Sequence, residues 1–206
     1  MLEQGQKDYL AELVNIGIGQ SAASLSEMVG AKVHLKIPDV DVYPMTALHT
    51  QLAKLGGPKL SAVRQGFDGS LSGEAYLIFS FESAKGLAEK LMEEQIPTEQ
   101  AEMQIEEVIT EVGNIVINSF LGLWSHIFPN HLEYEVPVYL LETPDKIFEG
   151  SRADEKNELP GIVVSANTTF HIKDIEVMGT IMVLFEVSSV EGLIGAIDRS
   201  AVPTAR

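Results

Sequence analysis

Leu10-Ala11-Glu12-Leu13-Val14-Asn15-Ile16 and Ile109-Thr110-Glu111-Val112-Gly113-Asn114-Ile115 decide how this chain is read. The two stretches stand 99 residues apart, and in each the Asn is followed by 22 residues and then a proline, Pro38 or Pro137. A second pair follows in the same order. Gly73-Glu74-Ala75-Tyr76-Leu77-Ile78-Phe79 matches Gly179-Thr180-Ile181-Met182-Val183-Leu184-Phe185, and the match runs on through Ser83–Leu87 and Ser189–Leu193, 106 residues apart. Two aligned blocks in one order imply a tandem duplication. The seven additional residues of the second copy are assigned to the polar stretch 143–160, which has loop composition.

Each copy parses alike. A long helix comes first, at about residues 6–29 and 99–128, supported by apolar spacing of period 3.6. Thr98, after Pro97, is the expected N-cap of the second helix. Extended segments follow at Val33–Ile37 and Leu132–Val136, each ahead of a proline that marks an edge or a turn. Hairpins are expected from Leu60–Phe67 with Gly73–Phe81, and from Ile162–Ile172 with Glu176–Val187. Ser83, and Ser188 or Ser189, open short closing helices near 83–92 and 189–197. A three-stranded piece with helices on one side leaves an edge open, and two such pieces can join edges about a pseudo-twofold axis. The expectation is an α+β protein: a single domain, 1–206, of two repeats (about 6–95 and 98–200), with one sheet of about six strands and two long helices packed on one face.

The chain has 206 residues, of which 45% are apolar, and a formal charge of −16. That composition supports a core and excludes disorder as the main state. Scattered Lys and Arg argue against nucleic acid and against an anionic membrane surface. No cysteine means no disulfide, thiolate nucleophile or Cys-ligated metal. No leader is visible at Met1–Asp8 and no apolar run reaches membrane-spanning length, so a cytoplasmic location is expected.

With Glu12 at 0° and about 100° per residue, Leu10, Val14, Gly17, Ser21, Leu25 and Met28 form one stripe, facing a core. Asp8, Glu12, Asn15 and Gly19 lie on the opposite side. In the second helix Ile109, Gly113, Val116, Phe120, Trp124 and Ile127 form the inner stripe, and Glu107, Glu111, Asn114 and Asn118 the outer one. An exposed Glu-x-x-Asn is ordinary helix surface when it occurs once. Here it recurs at matched places, in a residue that is a mediocre helix former. Gly19, Ala22 and Ala23 also leave the surface beside Asn15 bare.

Other chemistries are thin. Gly17-Ile18-Gly19-Gln20-Ser21-Ala22 fits a relaxed dinucleotide fingerprint, but that motif needs a preceding strand, and Lys7–Val14 is helical in pattern. The five His show no metal-ligand spacing, and His126 reads as structural. Met45, Met92, Met103, Met178 and Met182 read as core or cap packing. Neither Gly-x-Ser-x-Gly nor a Walker loop is present.

The doubled pattern Asp8-x-x-x-Glu12-x-x-Asn15 and Glu111-x-x-Asn114, each with its proline after 22 residues, resembles the CheC/CheX/FliY family of CheY-phosphate phosphatases, and its CheC-type members most. The resemblance covers nearly the whole chain. It implies removal of phosphate from the aspartyl phosphate of a CheY-like response regulator, with Glu12 and Asn15 in one site and Glu111 and Asn114 in the other. Asn would orient the attacking water and Glu would pair with the regulator's lysine. No cofactor is implied for this chain; Mg2+ belongs to the regulator. Some CheC-type relatives also bind a CheD-type receptor deamidase. Two departures stand out: Glu107 occupies the position of Asp8, and Val116 and Asn118 those of Gly17 and Gly19. A non-catalytic adaptor of the chemotaxis or flagellar switch system is the alternative. It predicts tight association with no acceleration. A small-molecule enzyme would need a converging polar pocket, for which no residues are seen.

Overall fold

The structure, a computed structural model, describes residues 3–36, 40–44, 47–52, 57–97, 101–127, 132–150, 162–172 and 174–201. The long helices are α1 (Gln4–Val29) and α4 (Ala101–Ile127). Gln6 Oε1 accepts the Glu3 amide at the start of α1, and Gly30, at φ 65°, closes its end. Thr98 lies outside the described residues. The hairpins are β3 (Leu60–Gly69) with β4 (Gly73–Ser80), and β7 (Ile162–Ile172) with β8 (Ile175–Phe185). Helices α3 (Phe81–Met92) and α5 (Val187–Ala201) follow them. Ser80 rather than Ser83 caps α3, accepting from the Ser83 amide.

Beyond these lie β1 (Val33–Lys36), β2 (Val40–Tyr43), a short α2 (Leu48–Leu52), β5 (Leu132–Tyr134) and β6 (Val138–Glu142). The spacing predicted neither β2, β6 nor α2, because four or five residues beside a proline carry too little periodicity to read.

All eight strands form one antiparallel sheet, ordered β1-β7-β8-β4-β3-β5, with β2 continuing along β7 and β6 along β3. At the centre β4 meets β8, with Gly73 opposite Phe185 and Phe79 opposite Gly179. The outer strands are exchanged: β1 and β2, early in the chain, pair on β7, while the later β5 and β6 pair on β3. Neither hairpin has its outer edge covered without the other half of the chain.

The main core lies between one face of the sheet and the helices. Leu10, Val14 and Leu25 of α1 and Ile105, Ile109, Val116 and Phe120 of α4 meet Val63, Phe67, Leu77, Ile181 and Val183. A second, smaller cluster covers the opposite face: Leu48 and Leu52 of α2, with Ile147 and Phe148, cap Leu60, Tyr76, Ile78 and Met182. The turn at 145–150 is therefore a packed element at the described end of the polar stretch; 151–161 lies outside the described residues. Burial on both faces explains the unbroken apolar runs of β4 and β8, where a half-exposed strand would alternate.

Candidate functional site

The two long helices pack on each other through a close crossing. A Cβ built on Gly17 would lie 3.2 Å from the Phe120 backbone and 3.0 Å from Leu123 Cδ1. One turn on, the Ser21 hydroxyl donates to the Gly17 carbonyl at 2.9 Å, with the Val116 carbonyl at 3.4 Å. Gly113 performs the matching service against the sheet, since a Cβ there would stand 2.5 Å from Val63. Gly17 and Val116, which occupy matched places in the two helices, thus both sit at the crossing.

That packing fixes which faces turn outward. Leu10, Val14, Gly17, Ser21 and Leu25 are buried as the wheel requires, while Met28 is 42% exposed, where the stripe predicted core. Ile109, Gly113, Val116 and Phe120 are buried; the side chains of Trp124, His126 and Ile127 lie outside the described residues. Met182 is core as expected, but Met103 and Met178 are 67% and 69% exposed, because their positions face away from both core clusters. Met45 lies outside the described residues.

Glu12 and Asn15 are both exposed, as are Asp8 and Gly19. Gln4 Nε2 donates to Asp8 Oδ1 at 2.8 Å, turning Asp8 back along its own helix. Among the described residues a Cβ on Gly19 would meet nothing within 4 Å, so no packing against them accounts for that glycine. Beside it Ala23 is exposed, and Ile16, next to Asn15, is 47% exposed. The first pair therefore stands on a low, partly apolar ridge.

The second pair is built differently. Glu111 is exposed, but Asn114 is half-buried. Asn118 Nδ2 donates to Asn114 Oδ1 at 2.6 Å. The Asn118 oxygen in turn accepts from Gln65 Nε2 at 3.1 Å, and the same nitrogen donates to the Glu135 carbonyl at 3.1 Å. Gln65 is 3% exposed, and its Oε1 has no hydrogen-bond partner among the described residues. Sequence reading placed Asn118 on the outer stripe but had no access to Gln65 or Glu135. They reach the site from β3 and from the segment after β5, with no local signal to mark them.

Each pair thus presents a carboxylate and, one turn on, a carboxamide. An amide offers an acceptor oxygen and two N–H donors. At Asn15 all of these are open to solvent. At Asn114 one lone pair is taken by Asn118, and the NH2 group with the remaining lone pair is left. Among the described residues no group of three or more His, Asp or Glu is placed to hold a metal. No helix among them is long and apolar enough to cross a membrane.

The family model described as "Chemotaxis phosphatase CheX" matches residues 61–155, a span that holds Glu111 and Asn114 but not α1. Among solved structures, Thermotoga maritima FliY superposes with a TM-score of 0.75 at 17% identity, over 97% of this chain and 98% of that one. A chain of the Helicobacter pylori FliG–FliM complex gives 0.67 at 12% identity, over 94% and 100%. A chain of the Borrelia burgdorferi CheX–CheY complex with BeF3 and Mg2+ gives 0.52 at 17%, over 82% and 96%. The chain is thus similar to the CheX family over residues 61–155 and shares its fold with the FliY, FliM and CheX structures.

Proposed function

We propose that this protein hydrolyses the aspartyl phosphate of a CheY-like response regulator. The observation that carries the reading is the outward placement of Glu12 and Asn15 on α1, with an exposed Glu111 and a half-buried Asn114 at the matched positions of α4. An acyl phosphate is already activated, and its transfer passes through a loose transition state that needs positioning more than a strong base. An Asn carried on an exposed helix can enter the regulator's site, accept a hydrogen bond from the water and donate to a phosphoryl oxygen. Glu12 and Glu111 pair with the regulator's lysine, an attraction that grows as the interface excludes water. Mg2+ is supplied by the regulator. We read the chain as one domain of two repeats; the reciprocal exchange of outer strands supports that reading. A CheD-type deamidase stays a second candidate partner.

The test is phosphate release from a phosphorylated regulator with Mg2+. The intact chain is expected to accelerate it, and Asn15→Ala combined with Asn114→Ala to return it to the regulator's own rate. Unchanged turnover in that double variant would refute the assignment.

The adaptor reading is favoured by one observation: Asn114 already spends its oxygen on Asn118. The likeness to FliM, which the Helicobacter pylori structure shows with FliG, fits it too. Association with the regulator and no acceleration by the intact chain, with all four residues in place, would select it.

A further inference from the structure

Beside Glu111 the surface opens into a cleft of about 310 Å3, where the end of α1, the end of α3 and the middle of α4 meet. Its apolar lining includes Met28, Leu91, Met92 and Val108, and its rim carries Glu107 and Glu111. Two observations make this more than an incidental dent. Met28 is left 42% exposed although it continues the core-facing stripe of α1. Glu107 and Glu111, one turn apart and both exposed, have no ion pair among the described residues. Like charges at that spacing repel unless a cation comes between them or beside them.

We propose that this cleft seats an apolar side chain of the response regulator, alongside the regulator lysine that Glu111 receives. The proposal rests on the phosphatase reading of the Glu111–Asn114 site and adds the surface that anchors its substrate. The occupant's chemistry follows from the lining. The apolar floor takes a hydrocarbon side chain, and burial of that area supplies affinity that the charges alone, screened at the rim, do not. The two carboxylates admit a neighbour bearing a cation and repel an acidic one. The cleft adjoins the candidate site, so a single docking event fills both. Anchoring of this kind acts equally on bound substrate and transition state, and therefore appears in KM rather than kcat.

The experiment uses full-length chains that isolate each site. In the Asn15→Ala background, where only Asn114 can act, Met28→Gln with Met92→Gln is expected to raise KM for the phosphorylated regulator about tenfold, the scale of withdrawing one buried apolar contact. The kcat stays within about twofold. In the Asn114→Ala background the same substitutions leave KM unchanged. Met28→Gln alone, at a part-exposed position, gives a smaller rise in the same direction and guards against misfolding in the pair. An unchanged KM in the Asn15→Ala background, or an equal rise in both backgrounds, overturns the proposal. Binding of beryllofluoride-loaded regulator is measured alongside. Binding that depends on Met28 without any turnover overturns the phosphatase reading and leaves the cleft standing. An Asn15→Ala chain that neither binds nor turns over the regulator overturns the cleft.

Discussion

Asn118 donates to the side-chain oxygen of Asn114 at 2.6 Å, one helical turn away, whereas Gly19, the corresponding residue beside Asn15, has no side chain to do so. The two candidate sites therefore differ in how their amides are held. Asn15 has no such neighbour to orient it, and under the proposed function the docking regulator would have to do so; Asn114 is oriented beforehand, at the cost of one acceptor position.

Removing that orienting bond is expected to slow the chemistry without loosening docking. In the Asn15→Ala background, Asn118→Ala should lower kcat on the order of tenfold, with KM little changed, since small misplacements of a positioning group weaken catalysis. Asn118→Gln keeps the donor on a longer arm and should recover part of the rate. Equal turnover in all three chains would show that Asn118 merely fills the helix surface.

The glycines of the long helices separate into packing and clearance. Gly113→Ala gains about 1 kcal/mol of helix propensity but drives a methyl group into Val63, 2.5 Å away, and should destabilise the fold by about 1–3 kcal/mol net. Gly19→Ala meets nothing and should stabilise by up to about 1 kcal/mol. Denaturant midpoints read both. Gly19→Arg should fold normally yet lower turnover in the Asn114→Ala background, because it fills the approach to Asn15.

On the far face of the sheet, the Tyr76 hydroxyl donates to Glu74 Oε2 at 3.0 Å, and Arg64 Nε stands 3.8 Å from Glu74 Oε1. Burial, followed by the Glu74 charge, pushes the Tyr76 hydroxyl well above its ordinary value of 10.0. A raised pKa in the folded state means that the folded chain holds this proton more tightly than the unfolded one. Its stabilising contribution is complete below pH about 10 and is lost as pH rises towards the folded value. Thermal melting between pH 8 and 11 should show an alkaline decline that Tyr76→Phe reduces. The same substitution should cost about 1 kcal/mol near neutrality, for the lost hydrogen bond.

Much of this molecule was legible in the chain itself. Glu12, Asn15 and Glu111 are exposed on the outer stripes that period-3.6 spacing assigns, with Asn114 half-buried beside them, because an amphipathic helix fixes which side chains share a face once one side is apolar. The hairpins were readable as paired apolar runs, Leu60–Phe67 with Gly73–Phe81 and Ile162–Ile172 with Glu176–Val187, although β3 itself runs on through Gly69. The strand exchange was not, since β1, β2, β5 and β6 are three to five residues long and find partners more than sixty residues away. Nor was the role of Gln65, whose reach to Asn118 exists only because Gly113 lets α4 settle onto β3. Periodicity acts along the chain and sets local faces. Which distant side chains meet on those faces depends on the register of strands and the crossing of helices, and those are decided by packing over the whole fold.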